Sequence, residues 1–461
     1  MKSLIMFEKE LAQIVDEVQS SGTNHQSIFT IDNIKTPWPK IYWLMFLTNV
    51  SQSTLSNHDR VLFAVGNYLP KLGTLLQKTN KRTQANYIFW KIIESYAPHL
   101  PTFLRERINK YRILLPGYDR ANDFKENRDN FCFEKTLRFF QYVSEAQFAR
   151  NNEHKLPDVK EMLENICCAT RKAILKCEWM DEETKEKALI KLGKIRYIIG
   201  APKEVYNEIE FNRILGLHKV KYYSNNVIEM ERELFRRSID HSFDLERPKI
   251  TKEKIKFYSI IPTQNAEFIM DSNTMVVPSG ILQGEFYSSN RQTYLNYGAL
   301  GNILAHEMAH GFGIEGSTYR EGNKTTNWWS GQTKKSFFKT VECLLKNCSA
   351  GNEQINCKST LDENFADYAG VQLAFDAYQE WVNKYGVETS LPGLKYDDPN
   401  QIFFTKYATL MCRKSRQYDD TRHLHPRDRI FGAYRNNKLF SNIFYCQDNA
   451  IMNPNNKCVV L

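Results

Sequence analysis

Leu304-Ala305-His306-Glu307-Met308-Ala309-His310-Gly311 places two histidines four residues apart, with a glutamate directly after the first. On an α-helix, positions i and i+4 share one face, so His306 and His310 can both reach a single metal ion. Glu307 is rotated about 100° around the axis, where it can hold a reacting water without itself binding the metal. The segment before it, Tyr297-Gly298-Ala299-Leu300-Gly301-Asn302-Ile303, is mostly apolar and small, which predicts that this helix is buried. Ordinary helix histidines have no need of such surroundings. The pattern therefore points to a divalent-metal hydrolase.

Catalytic zinc takes three protein ligands and keeps a fourth position open, so a third donor is needed from elsewhere. Many acids could serve, but Leu361-Asp362-Glu363-Asn364-Phe365-Ala366-Asp367-Tyr368-Ala369-Gly370 stands out. Glu363 and Asp367 are again i and i+4, in a helical period that continues through Val371, Leu373, Ala374 and Tyr378. If Glu363 completes the ligand set, Asp367 sits one turn on and can accept the outer ring N–H of a ligand histidine, fixing its tautomer. Paired acids usually mark a solvated helix face. Phe365, Ala366 and Ala369 argue against that here.

These motifs resemble the neprilysin and endothelin-converting-enzyme type of zinc metallopeptidase, a thermolysin-like gluzincin. Asn265-Ala266-Glu267-Phe268 resembles the family's Asn-Ala-Phe-Tyr element, and Val277-Pro278-Ser279-Gly280-Ile281-Leu282-Gln283 its Pro-Ala-Gly-Ile-Leu-Gln turn. His306 to Phe312 is similar to the metal helix, Asn327-Trp328-Trp329 to Asp-Trp-Trp, and Glu363-Asn364-Phe365-Ala366-Asp367 to Glu-Asn-x-Ala-Asp. Glu178-Trp179-Met180-Asp181-Glu182-Glu183-Thr184-Lys185, the stretch from His423 to Gly432, and Met452-Asn453-Pro454 with Lys457-Cys458 follow the family's order too.

The resemblance implies one Zn2+ per chain held by His306, His310 and Glu363, with Glu307 as general base and later proton donor and Asp367 orienting His306. A C-terminal histidine would stabilise the oxyanion. His423 is its counterpart by distance to Arg429, and His425 competes by adjacency to Pro426. Asn265 and Ala266 would bind the substrate backbone, Arg429 would bond a substrate carbonyl and brace the site, and Ile303 and Phe286 would line a pocket for a hydrophobic residue just after the cut bond. The resemblance also pairs Cys343 with Cys458 and allows a local Cys348–Cys357 bridge. Departures are Glu267-Phe268 in place of an aromatic pair and Gly313-Ile314 in place of an acidic pair. The implied activity is endopeptidase cleavage of small peptides. A catalytically impaired, peptide-binding relative is the second class, and a gluzincin aminopeptidase the third, whose Gly-x-Met-x-Asn motif is not found.

With 461 residues, 42% of them hydrophobic, the chain can bury a sizeable core in two lobes. Helical amphipathic patterns near Met6–Val18, Gln84–Tyr96, Leu137–Phe148 and Asp181–Leu192 predict a mainly α fold. The expected plan is a helical lobe over 1–222 and a thermolysin-like catalytic domain over 223–461 with a small β-sheet. The boundary falls in the polar segment Tyr222–Asn226. Phe268-Ile269-Met270 and Met275-Val276-Val277, separated by Asp271-Ser272-Asn273-Thr274, read as a hairpin whose edge could take an extended peptide.

The net charge of +9 is spread along the chain, and no nucleic-acid motif appears. Ten cysteines suit an oxidising compartment, as do the sequons at Asn49, Asn323 and Asn347. The resemblance implies an extracellular or cell-surface protein, with Cys132, Cys412 and Cys446 left single because their family partners lie in an N-terminal section. The apolar start at Met1–Met6 is too short for a signal peptide, and no run approaches the ~20 residues of a membrane span.

Overall fold

The computed structural model describes residues 2–20, 27–34, 42–51, 53–63, 68–112, 128–209, 211, 226–246, 264–320, 324–325, 327–348, 357–393, 398–413 and 422–461. Its contacts divide the chain into two units, Met1–Lys135 with Lys221–Thr251, and Thr136–Val220 with Lys252–Leu461. Of the polar segment at 222–226, only Asn226 is described.

The predominance of helix follows the amphipathic patterns: the four segments noted above fall on the helices Lys2–Ser20, Lys81–Ser95 with Tyr96 as its C-cap, Arg128–Asn151 and, with Asp181 as its N-cap, Glu182–Gly193. In the first unit, Lys2–Ser20 packs on Tyr68–Lys78 and Lys81–Ser95, with the Phe7 and Tyr87 rings edge to face at 4.9 Å. A short antiparallel pair, Ser27–Thr30 with Arg60–Phe63, stands beside a small core of Ile31, Ile34 and Trp43.

The second unit holds the large core and every candidate site residue. Asp181 starts the helix Glu182–Gly193 by accepting the Thr184 N–H at 2.9 Å, and Glu182 and Glu183 in the first turn suit the helix dipole. Ser330 caps Gly331–Asn347 in the same way, and Asp398 with Gln401 forms a capping box ahead of Pro399–Leu410.

The expected hairpin forms. Glu267–Ile269 pairs antiparallel with Thr274–Pro278, Phe268 opposite Met275, while Arg196–Gly200 pairs parallel on the other side of Thr274–Pro278. Every residue of the central strand Thr274–Pro278 is buried, as its continuous apolar run requires. That order leaves Glu267–Ile269 at an edge of the sheet.

Separated motifs converge in this core. Trp179 packs at a tilt against Trp329 at 5.1 Å and Phe337 at 4.7 Å, and its indole N–H donates to the Val460 carbonyl at 2.7 Å. Cys343 is bonded to Cys458, which ties the tail to the helix Gly331–Asn347, and Cys348 is bonded to Cys357. Cys412 and Cys446 form no disulfide among the described residues. Among those residues no helix is long and apolar enough to cross a membrane.

Candidate metal centre

The motif helix Asn302–His310 continues directly from a buried π-helical turn, Tyr297–Gly301. Leu304, Ala305, Met308 and Ala309 are fully buried, so the apolar face predicted for this segment anchors it in the core. The acid-bearing helix Leu361–Tyr385 packs against it, presenting the buried Phe365, Ala366 and Ala369.

Gly370 sets how closely the two helices approach. A Cβ there would lie 2.9 Å from the His306 backbone nitrogen and 3.0 Å from its Cα, so only glycine lets the helices meet at this point. Glu363, Asp367 and Gly370 follow a helical i, i+4, i+7 pattern, and the contact at Gly370 brings both acids to the histidines. Gly370→Ala is accordingly expected to destabilise the protein by about 1–3 kcal/mol, as overpacking does, rather than add the gain usual for Gly→Ala in a helix. Urea unfolding measures it, and an unchanged or raised midpoint would remove Gly370 from this role.

The ligand atoms meet as the sequence pattern suggests they can. Nε2 of His306 and Nε2 of His310 are 3.0 Å apart, and Glu363 Oε2 lies 3.2 Å from the first and 3.4 Å from the second. Zinc bonds of ~2.0–2.1 Å at tetrahedral angles would separate ligand atoms by about 3.3 Å, so this triangle has the right size for the ion. Among the described residues, these three form a group able to hold a metal. Glu363 Oε2 is buried, and the Nε2 atoms of His306, His310 and His423 stand 3.0–3.4 Å from it, a setting in which a shared cation would sit among all of them.

The surrounding charges make the same point. Asp367 Oδ1 sits 2.9 Å from His306 Nδ1, and Asp362 Oδ2 pairs with His310 Nδ1 at 3.1 Å. Burial disfavours the imidazolium at both histidines, yet these carboxylates and Glu363 more than offset it and raise both pKa values. Burial likewise opposes charge on Glu363, but His306, His310 and His423 around it hold its carboxyl well below the usual range. Three acids thus converge on two imidazoles, an excess of negative charge that a divalent cation would neutralise. The residues present fit zinc.

Glu307 is buried, and burial raises its pKa above the ordinary carboxylate value. Its Oε2 accepts the backbone N–H of Phe268 at 2.9 Å, so the edge strand lies directly against the motif glutamate. Asn265 is exposed just before that strand and Ala266 is buried. Ile303 and Phe286 are both partly buried against the main core, and the Phe286 carbonyl accepts the Leu300 N–H ahead of the motif helix.

The structure separates the two C-terminal histidines. Nε2 of His423 lies 3.0 Å from Glu363 Oε2, whereas His425 is the N-cap of Pro426–Arg435, its Nδ1 accepting the Arg427 N–H at 3.2 Å. Arg429, on the helix capped by His425, forks onto Asp367: Nε to Oδ2 at 2.8 Å and Nη2 to Oδ1 at 2.7 Å. Burial works against the Asp367 charge, but Arg429 and His306 hold the carboxyl well below its usual range. Asp362 and Gly370 were not singled out by sequence reasoning. The acid pair Asp362-Glu363 and the small residues Ala366, Ala369 and Gly370 are the signals that could have marked them.

The model of "Peptidase family M13" matches residues 265–460, and its N-terminal companion, with the same description, matches residues 1–202. Human "Endothelin-converting enzyme-like 1" is 28% identical over all of this chain and 60% of its own length; bovine "Endothelin-converting enzyme 1" is 27% identical over all of this chain and 62% of its own. The chain thus spans about 60% of the length of these curated relatives. Among solved structures, the Mycobacterium tuberculosis zinc metalloprotease ZMP1 in complex with inhibitor superposes with TM-score 0.76 at 20% identity, covering 97% of this chain and 68% of its own. PepO from Lactobacillus rhamnosis superposes with TM-score 0.73 at 19% identity, covering 98% and 69%, and at such identities both show the fold alone. With family models spanning both halves and the motif residues assembled around one point, the chain belongs to peptidase family M13.

Proposed function

We propose that this chain is a zinc-dependent endopeptidase that cleaves small peptides on the N-terminal side of hydrophobic residues, at the surface of or outside the cell. The observation that carries the reading is the triangle of His306, His310 and Glu363, sized for zinc and backed by Glu307. Bound there, zinc would polarise the scissile carbonyl and acidify a water. Glu307, with its proton affinity raised by burial, takes the proton from that water and passes it to the departing amine. The edge strand Glu267–Ile269, with Asn265 and Ala266 before it, offers main-chain pairing to an extended substrate. Ile303 and Phe286 supply the apolar contact after the cut bond, and Arg429 braces Asp367 and thereby His306.

His423 is the proposed donor to the developing oxyanion. His423→Gln is expected to lower kcat by about 10²–10³-fold with zinc content unchanged, the loss usual for one such donor. His425→Ala removes a helix cap and is expected to cost about 1 kcal/mol of stability with kcat nearly kept. Reversed effects of the two would hand the role to His425. The reading as a whole is tested by zinc analysis with hydrolysis of blocked peptides. A wild-type chain that binds zinc and peptide without turnover would favour the peptide-binding alternative.

A further inference from the structure

His310 is the last residue of the motif helix, and its ring carries a carboxylate contact on the side away from His306 and Glu363. Asp362 Oδ2 is 3.1 Å from His310 Nδ1, while Asp362 Oδ1 accepts the backbone N–H of Glu315 at 3.2 Å. One carboxylate therefore joins the ligand histidine to the turn that follows the helix. The adjoining space is shared with Gly313: a Cβ there would lie 2.9 Å from Asp362 Oδ1 and 3.1 Å from Phe365 Cδ1. A side chain at 313 would force the carboxylate of Asp362 out of its present position.

We infer that Asp362 is the positioning residue for His310, that Gly313 is the glycine which makes room for it, and that a carboxylate at either position, but not at both, can orient the ring. An acceptor at Nδ1 keeps the proton there and turns the Nε2 lone pair toward His306 and Glu363. Leu361–Tyr385 then supplies the ligand Glu363 together with a carboxylate for each histidine, Asp367 for His306 and Asp362 for His310. The departure from the family pattern at Gly313 acquires a steric reason. This inference rests on the zinc reading proposed above.

The test is zinc affinity by competition with a chelating dye, on wild type, Asp362→Ala, Gly313→Asp and the double variant, with thermal unfolding of each zinc-free protein alongside. Asp362→Ala is expected to weaken zinc binding ~10- to 100-fold, the usual loss for an outer partner of a ligand histidine. Its zinc-free stability should fall only by the loss of the Glu315 hydrogen bond, and a merely structural role would leave the zinc affinity of the folded protein unchanged. Gly313→Asp alone weakens binding as well, because it crowds Asp362, and the double variant binds more tightly than either single one. Should Asp362→Ala fail to fold, the isosteric Asp362→Asn takes its place, with a smaller loss of the same sign. Wild-type affinity in the Asp362 variant, or a double variant no better than the singles, overturns the inference. A wild-type chain that binds no zinc instead overturns the proposed function.

Discussion

Glu307→Gln is expected to reduce peptide hydrolysis by about 10³-fold, within the ~10²–10⁴-fold range of general acid–base catalysis, while leaving zinc content intact. The substitution preserves the shape of the side chain and one oxygen to accept the Phe268 N–H, whose bond to Glu307 is 2.9 Å long. It removes only the basic site. The three atoms proposed to hold zinc belong to His306, His310 and Glu363, so metal binding has no reason to fall. Initial rates on a fluorogenic peptide, with metal analysis of the same sample, separate the two quantities. Undiminished turnover would take the base role away from Glu307, and lost zinc would show that Glu307 supports the ligands instead.

The largest stability effect is expected at Arg429. Its guanidinium makes two bonds to Asp367, a side chain only 1% exposed, and Arg429→Ala would leave that carboxylate buried without its cation. Breaking one side of such a pair costs about 3–5 kcal/mol, whereas the double variant Arg429→Ala/Asp367→Ala should recover part of the loss because no charge is stranded. The pH dependence has a definite sign. The folded pKa of Asp367 lies below its unfolded value of ~3.9, so the stabilisation is present above that pH and lost as pH falls through the folded value. Denaturant unfolding of wild type and Arg429→Ala should accordingly converge in strong acid. A gap that stays constant down to the acid limit would place the effect elsewhere.

What could be read from the sequence was whatever repeats at a helical or strand period. Four-residue spacing marked His306 with His310 and Glu363 with Asp367, and two apolar runs around a polar turn marked the hairpin that lies against Glu307. Periodicity assigns a direction around one axis, however, and says nothing of how two axes cross. Gly370 and Asp362 therefore escaped it: the first matters only because the His306 backbone passes 2.9 Å from where its Cβ would be, the second only because His310 ends its helix beside it. His423 and His425 posed a similar limit, since both stand near Pro426 and only the start of the helix at that proline decides which ring becomes a cap. The Cys343–Cys458 bond came from family resemblance rather than spacing, the two being separated by 115 in sequence.

Zinc content after dialysis against trace metal, measured on wild type and on His306→Ala, His310→Ala and Glu363→Ala, decides whether these three side chains form a metal site. One equivalent per wild-type chain and its loss in each variant is the expected result. A wild-type chain without zinc, or full zinc in the Glu363 variant, would contradict it.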